Sequence, residues 1–307
     1  MMLIKLFGPT SVVTDAGGVA ISDLGGVKPR QILEILAANP GAPVTKDRLA
    51  DLLWDGEPPK SYIGTLESYV CVLRRKLGLS PGRKSPLATT SNGYLLDPAA
   101  ATVDLAEFRR FAGLAAKARP AEGLRLAQKA VALLTGELLA NETFPGWACT
   151  ERKVFTGDVV QVCGRAASDA IAIHDYEAAV DMARLGIGYD PLAEEVWQHL
   201  MRALAASGRG SEAIRAYFDL RTAVVNDLGI EPGPTSRALY MDILCDGPAQ
   251  ALNHIGAAGG ADLEDADLSR RLNRLRQALE AITGVQAPTM AAPLAEMAGR
   301  VLATASR

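Results

Sequence analysis

The chain has 307 residues, a formal net charge of −3 and 49% hydrophobic residues, enough for two domains with buried cores. Aromatic residues make up only 5% of it, which favours helices packed through Ala and Leu. Cys71, Cys149, Cys163 and Cys245 form no CxxC pair, and His174, His199 and His254 have no ligand spacing, so a zinc site is excluded.

Scattered cysteines of this kind read as reduced thiols in the cytosol. The first residues lack a charged-then-apolar signal pattern, and no stretch approaches about 18 apolar residues. A cytoplasmic protein with no membrane partner is the expectation. The charge is unevenly spread. Residues 1–98 carry 11 Lys and Arg against 9 Asp and Glu, while residues 99–307 carry 21 against 26. Between 60 and 84 stand Lys60, Arg74, Arg75, Lys76, Arg83 and Lys84 against Glu67 alone. A basic patch confined in this way suits a duplex, and it suits a solvated helix end equally well.

In chain order, Leu3 to Phe7 reads as a strand ended by Gly8-Pro9. Ser11 to Val13 and Val19 to Ile21 flank a turn at Asp15 to Gly18, giving a small antiparallel sheet. A first helix is predicted over 28–38, stopped by Asn39-Pro40-Gly41. A second starts from Thr45 as N-cap, has Asp47 in its first turn, and ends near Trp54, a core residue. The loop Asp55-Gly56-Glu57-Pro58-Pro59 leads to a third helix over 60–77, with Gly78 just past its end. The basic loop Pro81 to Lys84 precedes two short strands, 87–90 and 94–96, joined by Ser91-Asn92-Gly93, a hairpin signal. A sheet, three helices and a hairpin make a winged helix-turn-helix.

Beyond Asp104 the period is helical throughout, with helices predicted over 104–118, 121–135, 148–173, 175–188, 191–207, 210–227 and 234–245. Asp175 to Val180 echoes Gly210 to Arg215 at an offset of 35, and Pro120 to Leu124 is a weaker copy. A period near 34 suggests tetratricopeptide-like helix pairs, which must stack to bury their faces. The fold class is therefore mainly α: a winged helix-turn-helix with an N-terminal antiparallel sheet over 1–98, then a tetratricopeptide-like domain over 104–245. Residues 246–262 read as a Gly- and Ala-rich linker. A helix over 263–283 follows, with Leu268, Leu272, Leu275, Leu279 and Ile282 on one stripe, and a last one over 294–303. Whether this tail pairs with another subunit or folds back stays open.

At 100° per residue the third helix separates two faces. Leu66, Val70, Leu73 and Leu77 form a core stripe, with Tyr62 and Tyr69 on one shoulder and Ile63 on the other. Opposite lie Ser61, Gly64, Ser68, Cys71, Val72 and Arg75, with Thr65 at the edge. Mostly small side chains let a helix sit deep in the major groove, where hydroxyls reach base edges. Lys60, Arg74, Arg75 and Lys76 then meet phosphates at the two helix ends. Lys28 and Arg30 at the start of the first helix are further phosphate contacts, and the wing offers Thr90, Asn92 and Gly93. Each has a bland counterpart: a featureless surface helix, solvated charges, a structural turn.

Several segments carry a resemblance. They are Gly25 to Arg30, Asp47 to Trp54, Pro58-Pro59, Thr65 to Val70, Leu73 to Gly78 and Asn92 to Leu96, then Val103 to Phe108 and Asp227 to Pro234. Together they resemble the Streptomyces antibiotic regulatory proteins, with an OmpR/PhoB-type winged helix and a bacterial transcriptional activator domain. The resemblance implies an activator that binds double-stranded DNA at tandem direct repeats near a promoter and recruits RNA polymerase, with secondary-metabolite clusters as targets. It implies that Asp55, Gly56 and Glu57 face polymerase, and it leaves a homodimer on DNA open. One departure stands out. The family commonly has Arg then Asn where this chain has Ile63-Gly64, and a serine then a polar or basic residue where it has Cys71-Val72. A regulator that works through protein contacts or ligand sensing, with weakened DNA readout, is the alternative. There is no GxxxxGK[ST] loop, no cofactor is expected, and no catalytic arrangement is legible.

Overall fold

Alternation puts Met2 and Ile4 of β1 (Met2–Lys5) into the core and turns Lys5 to solvent. β2 (Ser11–Thr14) and β3 (Gly17–Val19) continue the antiparallel sheet, with Leu3 opposite Val13 and Val12 opposite Val19. In this computed structural model residues 2–14, 17–80 and 85–246 are described, in two compact units, Met1–Val196 and Trp197–Arg307. The predicted basic loop 81–84 and the tail beyond 246 lie outside the described residues.

In the first unit three helices follow the sheet: α1 (Val27–Ala38), α2 (Lys46–Trp54) and α3 (Tyr62–Lys76). The Thr45 side chain accepts from the Arg48 amide, the expected N-cap. Leu33, Leu36, Leu49, Leu66 and Leu73 are fully buried, as the helical stripes require. β5 (Leu87–Thr89) and β6 (Gly93–Leu96) form the wing, and β4 (Val44–Thr45) joins them in the order β4-β6-β5.

Two strands escaped the sequence reading, β4 and β7 (Ala101–Val103). β7 pairs parallel with β1, Met2 opposite Ala101, and completes a sheet ordered β3-β2-β1-β7. Asp104 follows at once, opening α4 (Asp104–Ala115), and its buried carboxylate accepts from the amides of Leu6, Phe7 and Leu105. Burial pushes this carboxyl above its usual range, against the pull of those amides. The helices α5 (Pro120–Val131), α6 (Gly146–Ala172) and α7 (Tyr176–Tyr189) build most of the rest of the unit, α5 against α4, α6 against α5 and α7 against α6. Phe7, Phe108 and Phe155 meet with centroids 5.2–6.4 Å apart, so the sheet, α4 and α6 share one core.

A buried polar network joins α1 to the segment between α5 and α6. Arg30 and Gln31 both donate to Glu142, and Thr10 Oγ1 donates to Glu34 Oε1 at 2.6 Å. Burial pushes Glu34 up to about 8. The Glu142 charge adds to that rise, while the Thr10 hydrogen bond and Arg30 oppose it. Glu34 is therefore protonated in the folded chain at neutral pH but ionised in the unfolded one. The native state binds more protons, so stability falls as pH rises from about 4.5 to about 8. We expect Glu34→Gln to flatten this slope and to raise the melting temperature at pH 8 relative to pH 5. An unchanged slope in calorimetry across that range would remove the protonated carboxyl from the account.

In the second unit α9 (Gly210–Leu228) ends on Gly229 and packs on α10 (Pro234–Asp246). Tyr217 stacks on Tyr240 at 4.2 Å, over a core that includes Leu220, Val224 and Ile243. α8 (Glu194–Ala206) runs across the division between the units.

Candidate nucleic-acid interface

The core stripe of α3 buries Leu66, Val70 and Leu73, and Leu77 just beyond it, leaving Ser61, Gly64, Ser68, Cys71 and Arg75 exposed together on the far face. Among the described residues no side-chain hydrogen bond or ion pair engages Ser68 or Arg75. Lys60 and Lys76 are exposed at the two ends of the helix. Three consecutive cations close α3, where the helix dipole favours positive charge.

Neighbouring polar groups on α3 are used within the chain. The Thr65 hydroxyl donates to the Ser61 carbonyl at 3.1 Å. Tyr62 donates to Asp47, and Lys46 donates to Glu67, both at 2.6 Å. Arg74 donates to the Leu87 carbonyl and to Thr89 Oγ1, each at 2.8 Å, and its guanidinium lies over the Tyr94 ring. Arg74 thus fastens α3 to the wing.

Three more of the expected contact residues have partners or close neighbours within the fold. Arg30 is held by Glu142 and Glu34, and its side chain is only 14% exposed. It is engaged as a cation within the fold. Lys28 donates to the Leu53 carbonyl and lies over Trp54, itself half-buried rather than core, so it ties α1 to the end of α2. Gly93 is buried, and a Cβ there would stand 1.9 Å from the Val44 carbonyl oxygen. Neither Asn92 nor Gly93 takes the left-handed backbone of an Asn-Gly turn. The glycine is required by the close approach of β4, while Asn92 at the tip is exposed and Thr90 half-buried.

Two side chains on α3 trade places with their expected faces. Val72, assigned to the outer face, is half-buried, and a Cβ on Gly25 would lie 2.5 Å from its Cγ1. Ile63, assigned to the core shoulder, is 48% exposed, while Leu66 one turn on is fully buried.

The loop expected to face polymerase is sharply turned and solvent-facing. Asp55 and Gly56 have φ of 53° and 82°, and Asp55, Gly56 and Glu57 are all exposed. A Cβ on Gly146 would lie 3.7 Å from Asp55 Oδ1, so the start of α6 adjoins this loop. Two residues before Gly146, Phe144 is 90% exposed, a feature the sequence reading missed. Its only signal was an aromatic beside Pro145-Gly146, where helical or strand period gives no face.

A family model described as Transcriptional regulatory protein, C terminal, matches residues 26–96, and one described as Bacterial transcriptional activator domain matches 103–244. The chain belongs to the Streptomyces antibiotic regulatory protein family. It is 29% identical over 266 residues to the regulatory protein DnrI of Streptomyces peucetius, covering 79% of this regulator and 92% of DnrI. It is 32% identical to the transcriptional regulatory protein EmbR of Mycobacterium tuberculosis, over 80% of this regulator and 64% of EmbR. The structure of that EmbR in complex with a low affinity phosphopeptide superposes with a TM-score of 0.67. The match has 27% identity and covers 94% of this regulator and 72% of that chain. The protein is thus a transcription regulator with an OmpR/PhoB-type DNA-binding domain, and double-stranded DNA is its partner. No helix among the described residues is long and apolar enough to cross a membrane.

Proposed function

We propose that this regulator activates transcription by binding tandem direct repeats near a promoter and recruiting RNA polymerase, with residues 1–98 reading DNA and 104–245 forming the activator domain. A single observation carries the DNA part: the outer face of α3 is exposed, small and hydroxyl-bearing, with Ser68 and Arg75 unengaged among the described residues. In this reading α3 enters the major groove with Ser61, Gly64 and Ser68 toward base edges. Lys60, Arg75 and Lys76 meet phosphates, and Thr90 and Asn92 of the wing meet the adjacent backbone. Direct repeats place two copies side by side, so a homodimer forms on DNA. The acidic loop Asp55-Gly56-Glu57, with exposed Phe144 nearby, is the polymerase-facing surface. Aromatic side chains are enriched among the residues that dominate protein interfaces.

Footprinting and run-off transcription on one promoter separate the two surfaces. Arg75→Ala is expected to weaken binding to specific and random duplexes alike and to lower the salt slope by about 1. Glu57→Ala is expected to leave the footprint intact while cutting the transcript. A Glu57→Ala protein that transcribes normally at full occupancy would remove the loop from polymerase contact. A wild-type footprint with no sequence preference would favour a regulator working through protein contacts.

A further inference from the structure

We infer that Ile63 and Gly64 form an apolar notch at the start of α3 that reads the C5-methyl group of a thymine in the bound duplex; this rests on the DNA-binding reading above. The positional argument begins with the polar groups that are already spent. Thr65, Tyr62, Glu67 and Arg74 are each hydrogen-bonded inside the chain, which holds their side chains toward those partners. The hydroxyl-bearing face has fewer free readers than the pattern of residues suggests.

Beside Ser61, what remains exposed in the first turn of α3 includes an apolar pair, Ile63 and Gly64. Ile63 is 48% exposed, outside the core that takes Leu66, Val70 and Leu73. Gly64 beside it is exposed, and among the described residues a Cβ there would meet nothing within 4 Å. The fold itself therefore gives no reason for a glycine at 64, although glycine is a poor helix former. An approaching surface does give one: without a Cβ, the backbone of this turn can come closer to a base edge than any other residue allows. Docked recognition helices present their N-terminal residues to the bases. The apolar feature on the major-groove edge is the thymine C5-methyl, and an aliphatic side chain is its natural contact. Ile63 supplies the aliphatic wall, Gly64 the space, and Ser68, one turn on, a hydroxyl for a neighbouring base.

The test uses the full chain and a duplex selected by it from a random pool. Each thymine is replaced in turn by deoxyuridine, which removes the methyl and nothing else. We expect one thymine per repeat whose replacement weakens wild-type binding about three- to tenfold, the effect of burying one methyl. Ile63→Ala should bind the unmodified duplex more weakly and be indifferent to that replacement. Gly64→Ala should lose specific binding at least as severely while keeping the wild-type circular dichroism and melting temperature or exceeding it. The inference is overturned if the duplex binds but no thymine shows a deoxyuridine effect that Ile63→Ala abolishes. It is overturned equally if Gly64→Ala binds as wild type. If selection enriches no duplex, the DNA-binding reading itself fails, and that result is distinct from the other two.

Discussion

Arg30→Ala is expected to lower the unfolding free energy by about 3–5 kcal/mol, the usual cost of stranding a buried charge. The guanidinium donates to Glu142 Oε1 and lies 3.4 Å from Glu34 Oε1, with side-chain exposures of 14%, 3% and 0% for the three residues. Without Arg30 the Glu142 carboxylate loses its cation and keeps neutral donors such as Gln31 Nε2, at 2.6 Å. The network sits between α1 and the segment leading into α6, so its loss loosens the base on which the DNA-reading helices stand. Urea denaturation read by circular dichroism gives the midpoint shift. Arg75→Ala is the control, expected to stay within about 0.5 kcal/mol of wild type as an exposed surface change. If Arg30→Ala unfolded at the wild-type midpoint and bound DNA poorly, Arg30 would be a phosphate contact after all.

Gly93→Ala is expected to destabilise the winged helix by about 1–3 kcal/mol and to cost most of the DNA affinity. The added Cβ would lie 1.9 Å from the Val44 carbonyl oxygen and 2.8 Å from Thr45 Cα, both backbone atoms that cannot swing aside. β6 must then part from β4, which takes with it Thr45, the N-cap of α2, and the Thr89 anchor of Arg74. Asn92→Ala is the contrasting variant. Its side chain is exposed, and the bond between the Lys46 amide and its carbonyl survives the substitution. That protein should unfold within about 0.5 kcal/mol of wild type. Thermal melts of the pair decide the matter: coincident curves for Gly93→Ala and wild type would restore a turn-only role to the glycine.

The sequence carried the site's general shape because helical period is local. Ser61, Ser68 and Arg75 fall opposite Leu66, Val70 and Leu73 at 100° per residue, whatever packs behind them. Individual roles within the site were not local. Arg30 read as a phosphate contact because its partner Glu142 lies 112 residues further on. The acceptors of Lys28 and Arg74 are likewise invisible to a local pattern, being backbone carbonyls on α2 and β5. A basic side chain near a helix end looks the same in sequence whether it is free or bound.

By itself the sequence determined each helix from α1 to α10, the wing, and the Thr45 cap, since apolar spacing, breakers and N-cap chemistry are all short-range signals. Only the tertiary structure decided β4 and β7, because they are short, stand beside no hairpin signal, and gain their hydrogen bonds from distant partners. It also decided which cations are spent inside the fold and which side chains project past the core. Those outcomes depend on how far one element overhangs another, a quantity that no window of the chain contains.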